Sequence, residues 1–286
     1  MNIAVLSGKG GTGKTLVSVN LAAAAGQAVY LDCDVEEPNG HLFFKPVDVQ
    51  EELVKVKIPL LDEQLCDGCR KCVAFCNFNA LAYSNEKLII FEDICHSCGG
   101  CILVCPQTAL TEKDRVIGRI EKGRSEDVSV YTGILNTSEP SGVPIIDRLL
   151  DLNKEKPEQE TFIDCPPGSA CIVMEAIKDA DYCILVTEAS LFGVHNLKMV
   201  YELVTLFEKP LGVVINKCLD GDNPAEDFCL DQEIKILAKL PYDQNLAFLN
   251  SNGKILVKES ESYKNLFTAL LEKVRKELAD ERTSHS

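Results

Sequence analysis

The first fifteen residues constrain the fold of this 286-residue chain more than any other stretch. Met1–Leu6 is a mostly apolar run typical of a buried strand, and Leu16–Ala25 is Ala-rich without Pro or Gly, which predicts a helix. Between them, four residues complete the phosphate-binding pattern G-x-x-x-x-G-K-S/T: Gly8, Gly13, Lys14 and Thr15. This order indicates a P-loop domain of the α/β class, because backbone N–H groups and a helix N-terminus then surround a polyphosphate.

The loop predicts a division of chemical roles. Its eight residues are the expected nucleotide-binding set: Gly8, Lys9, Gly10, Gly11, Thr12, Gly13, Lys14 and Thr15. Lys14 is expected to reach the β- and γ-phosphates and to act in catalysis, and the Thr15 hydroxyl is expected to bind Mg²⁺. The structural alternative is an ordinary glycine-rich turn between a strand and a helix.

An additional lysine, Lys9, lies inside the loop. With it, the segment Gly8–Thr15 resembles the deviant Walker P-loop of the MinD superfamily, which includes the MinD/ParA group, the nitrogenase iron protein and Mrp-type iron–sulfur carriers. In that superfamily the extra lysine reaches across a dimer to the partner's nucleotide. The resemblance therefore implies an ATPase that forms an ATP-dependent homodimer, with Lys9 in a catalytic role. A solvated lysine at a loop tip is the alternative.

Two further strands are expected to end in aspartates. Ala28–Leu31 leads into Asp32 and Asp34, and Thr161–Ile163 leads into Asp164, which a Cys-Pro-Pro-Gly sequence follows. Since ligands of α/β sheets bind beyond the carboxyl ends of the strands, these side chains are expected near the P-loop. The resemblance implies that Asp34 acts in catalysis by positioning the attacking water, and that Asp32 and Asp164 lie at Mg²⁺. A carboxylate pair that caps the following turn is the alternative for Asp32 and Asp34.

Two later strands lead into segments that resemble the adenine site of the same superfamily. Leu211–Ile215 is followed by Asn216, and Ile236–Leu240 is followed by a Pro-Tyr-Asp sequence that contains Pro241 and Asp243. By the resemblance, Asn216 recognises adenine, and the loop with Pro241 and Asp243 closes on the base.

Eight of the fourteen cysteines repeat one spacing twice, C-x2-C-x2-C-x3-C. This spacing is the ligand run of bacterial ferredoxins, in which the fourth cysteine of each run ligates the other [4Fe-4S] cluster. The expected ligands of the first cluster are Cys66, Cys69, Cys72 and Cys105. Those of the second cluster are Cys76, Cys95, Cys98 and Cys101. Zinc also binds paired cysteines, but two complete runs, the second ending in Cys-Pro, favour iron–sulfur clusters.

These patterns divide the chain into three segments. Residues 1–59 and 113–286 are expected to form one P-loop ATPase domain, and residues 60–112 an inserted two-cluster ferredoxin domain. The predicted fold is α/β, with a mostly parallel, twisted sheet and helices on both faces, joined to a small α+β module. One departure from the ferredoxin pattern is Asn77, which stands where proline follows the fourth cysteine.

Composition narrows the function classes. The chain carries 29 Lys and Arg against 44 Asp and Glu, a net charge of −15, which argues against general nucleic-acid binding. Fourteen cysteines and no secretory leader favour metal ligation in a reducing, cytoplasmic setting. No apolar run approaches about 18 residues, so no membrane span is expected. The amphipathic stretch Tyr263–Arg282 has mixed charges, which favours packing against the domain over peripheral membrane contact.

The leading hypothesis is an ATP-binding and ATP-hydrolysing iron–sulfur protein. It would couple nucleotide-dependent dimerisation to electron transfer toward an unknown redox partner protein, with ATP, Mg²⁺ and two [4Fe-4S] clusters as cofactors. The first alternative is an iron–sulfur assembly or carrier ATPase, although the short C-terminal Cys-x2-Cys of Mrp-type carriers has no counterpart here. The second alternative is a positioning or regulatory switch like MinD and ParA.

Overall fold

The computed structural model of the chain describes residues 1–155 and 159–284, with side chains to residue 280. Within them lie eleven strands: β1 (Asn2–Leu6), β2 (Ala28–Asp32), β3 (Val47–Leu61), β4 (Leu81–Ser84), β5 (Lys87–Ile90), β6 (Leu110–Ser125), β7 (Val128–Leu135), β8 (Glu160–Asp164), β9 (Tyr182–Glu188), β10 (Leu211–Cys218) and β11 (Ile236–Pro241). The same residues contain eleven α-helices: α1 (Lys14–Ala25), α2 (Gly40–Phe44), α3 (Lys71–Phe75), α4 (Gly100–Leu103), α5 (Val143–Lys154), α6 (Cys171–Ile177), α7 (Leu191–Leu206), α8 (Pro224–Asp231), α9 (Gln244–Ser251), α10 (Leu256–Glu259) and α11 (Glu261–Ser284).

Nine of the described strands form one sheet, in the order β11-β10-β9-β1-β8-β2-β7-β6-β3. The seven strands from β11 to β7 are parallel, whereas β6 runs antiparallel to both β7 and β3. The prediction of an α/β fold with a mostly parallel sheet is therefore confirmed. The P-loop and both aspartate-ending strands meet at the carboxyl edge of this sheet.

Helices cover both faces of the sheet because its central strands are apolar on both sides. Along β1, Ile3 and Val5 point to one face and Ala4 and Leu6 to the other, and all four are fully buried. One core joins the sheet to α1, α10 and α11, and the other joins it to α5, α6, α7 and α8. The alternation of side chains along each strand thus produces the two helical layers that the sequence predicts.

The last helix, α11, packs against the domain. Its apolar stripe is buried in the same core as α1: Phe267, Leu270, Leu271, Val274 and Leu278. This is the packing that the amphipathic pattern predicts for the stretch. None of the described helices is both long and apolar enough to cross a membrane.

Strands β3 and β6 form a long two-stranded arm, which we call the β3–β6 arm. The two strands pair antiparallel from Val47 with Arg124 to Leu61 with Leu110. Only residues 118–125 of β6 also pair with β7, and Gly118 lies opposite Leu135 at the carboxyl end of β7. Residues 110–117 therefore project beyond the edge of the sheet that carries the P-loop.

The cysteine-rich segment, residues 62–109, folds at the end of this arm, and we call it the cysteine module. It contains α3, the β4–β5 hairpin, a 3-10 turn at Glu92–Ile94 and α4. A small core of its own holds it together: Cys72, Leu81, Cys101 and Leu110. The predicted domain boundaries at residues 60 and 112 fall within the last three pairs of the arm, and the division into domains remains a prediction.

Candidate functional site

The P-loop connects β1 to α1 and is shaped by glycines. Gly11 and Gly13 have φ of 80° and 99°, in the left-handed region that glycine tolerates. A Cβ at Gly13 would lie 2.2 Å from the Asn216 side-chain nitrogen, and one at Gly8 would lie 2.2 Å from the Asn196 carbonyl oxygen. Glycine at these positions therefore lets the loop pack tightly against β10 and α7.

A large open cavity of about 860 Å³ lies over this loop. Six of its lining residues were predicted for the nucleotide site: Gly10, Gly11, Gly13, Lys14, Thr15 and Asp34. Pro166 and Pro167, from the Pro-Pro segment after β8, line it as well. So do Asn250, Ser251 and Gly253 at the end of α9, which the sequence did not indicate. This volume lies within the about 300–1,000 Å³ of typical ligand pockets, so the cavity has room for a nucleotide.

Lys14 lies at the base of the cavity, where its side chain is only 6% exposed. Its Nζ is 2.8 Å from Asp164 Oδ1 and 3.5 Å from Asp34 Oδ2. Burial opposes the charge, but the two carboxylates outweigh it and raise the pKa of Lys14 above its usual value. The side chain is therefore a charged ammonium at the loop, and a phosphate that binds there competes with two carboxylates for it.

Asp164 is fully buried at the end of β8 and has a second partner that the sequence did not indicate. The Tyr30 hydroxyl on β2 donates to Asp164 Oδ2 at 2.8 Å. Burial and the neighbouring Asp164 charge raise the pKa of Tyr30, so its hydroxyl keeps its proton and acts as a donor. The only sequence signal for this pair is a tyrosine within an otherwise aliphatic strand.

Asp32 holds the start of α2. Its Oδ2 accepts hydrogen bonds from the backbone N–H groups of Asn39 at 3.1 Å and Gly40 at 2.8 Å, and its Oδ1 accepts one from Asp34 N at 3.3 Å. Burial and the charge of Asp164 raise the pKa of Asp32 to about 8. This carboxylate therefore closes the turn after β2, which is the capping alternative of the sequence analysis.

The expected Mg²⁺ ligands are Thr15, Asp32 and Asp164, and protein donors already engage both carboxylates. Nowhere in residues 1–155 and 159–280 do three or more His, Cys, Asp or Glu side chains converge closely enough to hold one metal ion. The side chains lie at the predicted edge of the sheet, and Mg²⁺ binding by them remains a prediction.

Lys9 lies at the rim of the loop and is 39% exposed. Its Nζ is 3.0 Å from Glu188 Oε2 at the end of β9. The other oxygen of Glu188 is 2.6 Å from Lys217 Nζ, which also donates to the Gly11 carbonyl at 2.9 Å. Burial favours the neutral acid, but Lys217 and Lys9 together lower the pKa of Glu188. Sequence reasoning missed both Glu188 and Lys217, which hold Lys9 and the loop within one chain.

The predicted adenine residues have structural partners. Asn216 is 3% exposed, and its amide donates to the Thr12 carbonyl at 2.8 Å and accepts from Lys217 N at 2.8 Å. Asp243, two residues after Pro241, caps α9 by accepting from Asn245 N at 2.7 Å. The structure thus places Asn216 beneath the P-loop and Asp243 at a helix start, and base recognition by these residues remains a proposal.

The cysteine module contains two cavities, each lined by four cysteines. The first is lined by Cys66, Cys69, Cys72 and Cys105. The second is lined by Cys76, Cys95, Cys98 and Cys101. The fourth cysteine of each run therefore lies with the first three of the other run, and both groupings match the sets drawn from the spacing.

The repeat in the sequence is also a repeat in the backbone. Left-handed residues recur in pairs at matching positions of the two runs: Gly68 and Ser97, Arg70 and Gly99, and Asn79 and Thr108. At Gly68 the conformation also leaves room for Tyr83, because a Cβ there would lie 2.4 Å from the Tyr83 hydroxyl. Each half of the module therefore wraps its cavity with the same local turns.

The thiols within each cavity are near enough to affect one another. Burial raises the pKa of Cys72, and the charges of Cys105 and Cys66 raise it further. Burial raises the pKa of Cys101 to about 11, with further contributions from Cys95 and Cys98. Ionising several of these thiols without a cation is therefore unfavourable, and a bound metal centre would displace their protons. Four cysteines line each cavity, but among the described residues no three of their side chains converge closely enough to hold a single metal ion, and the two clusters remain a prediction.

Comparison with known proteins agrees with the fold and the loop. A family model described as the CobQ/CobB/MinD/ParA nucleotide binding domain matches residues 3–257. An uncharacterised protein of Methanocaldococcus jannaschii is 32% identical over 280 residues, which cover 95% of this chain and 97% of the relative.

Two solved structures are similar in fold. The cell division ATPase MinD of Pyrococcus furiosus is 20% identical, with a TM-score of 0.60 and coverage of 96% of this chain and 98% of that one. The septum site-determining protein MinD of Pyrococcus horikoshii, solved with Mg-ADP, is 19% identical, with a TM-score of 0.59 and coverage of 96% and 95%. Since the family model spans most of its length, this chain belongs to the CobQ/CobB/MinD/ParA family of nucleotide-binding domains.

Proposed function

We propose that the protein is an ATP-binding and ATP-hydrolysing switch that dimerises with ATP and acts on a module carrying two [4Fe-4S] clusters for electron transfer. Family membership and the cavity over the P-loop support the nucleotide half of this proposal. The two four-cysteine cavities are the observation that carries the iron–sulfur half.

At the nucleotide site, the chain's own charges define the roles that we propose. Lys14 binds the β- and γ-phosphates, and these displace Asp34 and Asp164 from its ammonium group. Asp34, which lines the cavity, then orients the attacking water. Asp164 and the Thr15 hydroxyl hold Mg²⁺, with Asp32 keeping the turn before α2 closed behind them.

Dimerisation follows from the position of Lys9. Its ammonium lies at the exposed rim of the P-loop and is held by Glu188, in a surface ion pair of small net free energy. We propose that Lys9 leaves Glu188 and reaches the nucleotide of a second subunit when ATP is bound. The active form is then a homodimer with one nucleotide per subunit.

In the module, we propose that the eight cysteines hold two cubanes. The ligands are Cys66, Cys69, Cys72 and Cys105 for one cluster, and Cys76, Cys95, Cys98 and Cys101 for the other. A bound [4Fe-4S] cluster supplies one-electron transfer. The protein orients the thiols through the repeated turns, and its small core buries one thiol of each set, Cys72 and Cys101.

A positioning or regulatory switch is the second candidate. The solved proteins of similar fold are cell division ATPases, so the comparisons favour this candidate over electron transfer. In that case the cysteine module would be a docking element, and the ATPase cycle would control where or with what the protein assembles. An iron–sulfur carrier is a third reading, which quantitative transfer of clusters to an apo-protein acceptor would support.

One experiment separates these readings. Protein purified without oxygen is analysed for iron and acid-labile sulfide, and its clusters are titrated by EPR with and without Mg-ATP. About eight irons per chain and an ATP-dependent change in potential or line shape are expected of the electron-transfer switch. Iron-free, correctly folded protein that hydrolyses ATP would overturn the iron–sulfur half and favour the positioning switch. Protein that neither binds nor hydrolyses ATP would overturn the nucleotide half.

A further inference from the structure

A buried ion pair connects the β3–β6 arm with the loop that follows β7. Arg115 on β6 is 14% exposed and Glu139 is 8% exposed, and their Nη2 and Oε2 atoms are 2.6 Å apart. The loop, residues 136–142, is also bound to β6 by a hydrogen bond from Asn136 N to the Ile117 carbonyl at 2.9 Å. Arg115, which lies on a strand of the arm, is therefore bound to a loop of the main domain.

On its other side, Arg115 holds the cysteine module. Its Nη1 donates to the carbonyl of Glu92, and the backbone N–H of Cys95 donates to the same carbonyl at 3.2 Å. Cys95 is the first cysteine of the second run and lines the second cavity. Arg115 and Cys95, a proposed cluster ligand, are therefore connected through the carbonyl oxygen of Glu92, so a movement of Arg115 is expected to move Cys95.

The 136–142 loop also touches the segments that flank the nucleotide cavity. Leu135 at the end of β7, directly before this loop, donates its N–H to the carbonyl of Val35 at 2.8 Å, and Val35 directly follows Asp34. A Cβ at Gly142 would lie 2.4 Å from Val35 Cγ2 and 3.0 Å from Ile172 Cδ1. Ile172 and Val35 both line the nucleotide cavity. The segments that follow Asp34 and Asp164 in the chain thus both lie against the end of this loop.

We propose that the Arg115–Glu139 pair transmits the nucleotide state of the cavity to the Cys95–Cys101 half of the cysteine module. This inference rests on the proposed function, because it requires both a bound nucleotide and an occupied module. The pair suits the role because it is largely buried, whereas the other carboxylate near Arg115, that of Asp93 at 3.7 Å, is exposed. When one partner of the pair moves, leaving the other unpaired is costly, so the other partner follows. The fork of the Arg115 guanidinium allows it to hold Glu139 and the Glu92 carbonyl at the same time.

Hydrogen–deuterium exchange on the anaerobically purified full chain tests the proposal. Exchange over residues 92–98 and 136–142 is measured with and without Mg²⁺ and a non-hydrolysable ATP analogue. In the wild type, both segments are expected to change on binding. In Arg115→Ala, the change over 136–142 remains, and the change over 92–98 falls by about fivefold or more.

Three further variants make the outcome decisive. Arg115→Met with Glu139→Gln removes both charges and leaves neither unpaired, so it separates lost coupling from poor folding. Lys113→Ala removes a module contact, the 2.6 Å pair with Glu92, without touching Glu139. Arg119→Ala removes a more exposed arginine of the same strand, which pairs with Glu51 and Glu121 instead. The last two are expected to keep the wild-type response over 92–98.

The proposal is overturned if the double variant keeps that response, or if Lys113→Ala abolishes it as fully as Arg115→Ala does. It is also overturned if the wild type binds the analogue with no change over 92–98, a result that leaves the proposed function intact. If the analogue does not bind at all, or the module holds no iron, the proposed function fails and this inference fails with it.

Discussion

The nucleotide site and the cysteine module differ in the partners that their polar side chains have within the protein. At the P-loop, opposite charges neutralise each other inside the protein: Lys14 pairs with Asp164, and Lys9 pairs with Glu188. In the module the donors are all of one kind, since four thiols line each cavity, and burial together with the neighbouring thiols raises the pKa of Cys72 in one cavity and of Cys101 in the other. A nucleotide therefore enters by replacing internal partners, whereas the module depends on an external cation to complete it.

The largest expected effect is on the module, because its core includes proposed ligands. Cys72→Ser removes a buried core residue and one ligand of the first cavity. The variant is expected to lose about four of about eight irons, and protease cleavage within residues 62–109 should increase. Iron analysis and limited proteolysis measure both. Cys171→Ser, an exposed cysteine outside the cavities, is the matched control. Full iron retention in Cys72→Ser would contradict the ligand assignment.

The next largest effect is on the internal charges of the P-loop. Lys14→Met leaves the buried Asp164 without its cation, which is expected to destabilise the protein by about 3–5 kcal/mol and to abolish nucleotide binding. Urea unfolding and calorimetric titration with Mg-ATP measure the two losses. Asp34→Asn removes only the longer 3.5 Å contact and is expected to have a smaller effect on stability. If Lys14→Met is as stable as the wild type, a group other than Lys14 stabilises the Asp164 charge, and the contrast between the nucleotide site and the module fails.

A smaller effect is expected in the pH dependence of stability. Asp32 has a pKa of about 8 in the folded protein against an ordinary 3.8, so the folded state binds its proton more tightly than the unfolded state does. Its contribution to stability is therefore greatest below its ordinary pKa and is lost as the pH rises toward 8, with a slope of at most about 1.4 kcal/mol per pH unit.

Urea unfolding between about pH 6 and pH 8 checks this expectation. Asp32→Asn removes the titration while keeping an oxygen for the N–H groups of Asn39 and Gly40, so the variant should lose less stability over that range than the wild type. Equal slopes for the two proteins would mean that Asp32 is ionised throughout.

The smallest effect on stability is expected at the rim of the loop. Lys9→Ala removes an exposed ion pair, so the free energy of unfolding should change by less than about 1 kcal/mol. ATP-dependent dimerisation should nevertheless be lost, as light scattering or analytical ultracentrifugation would show. Glu188→Gln frees Lys9 in the monomer and should leave dimerisation intact or strengthen it. ATP-dependent dimers of Lys9→Ala would disprove the bridging role of this lysine.

Features that depend on short-range spacing could be predicted from the sequence. The P-loop, the parallel sheet and the two groups of four cysteines all follow from local patterns, and the exchange of Cys76 and Cys105 between runs follows from the ferredoxin spacing. The repeat made this possible, because two equal halves must interlock to share a core.

Features that depend on strand register could not be predicted in this way. Tyr30 reaches Asp164 because β2 lies beside β8 with Asp32 opposite Asp164, a pairing that joins residues far apart in the chain. Glu188 meets Lys9 because β9 lies beside β1. The sequence offered two roles for Asp32, binding near Mg²⁺ and capping of the following turn. The structure shows its hydrogen bonds to Asn39 N and Gly40 N at the start of α2, and the Mg²⁺ role remains a prediction.

The β3–β6 arm has a consequence for the distances at which the module can act. Its projecting part, residues 110–117, continues a strand that is already hydrogen-bonded within the main sheet, so the module is carried on a stiff extension instead of a flexible linker. At about 3.4 Å per residue, this extension is roughly 25 Å long. In a two-fold symmetric dimer, two such extensions would fix the distance between the two cysteine modules.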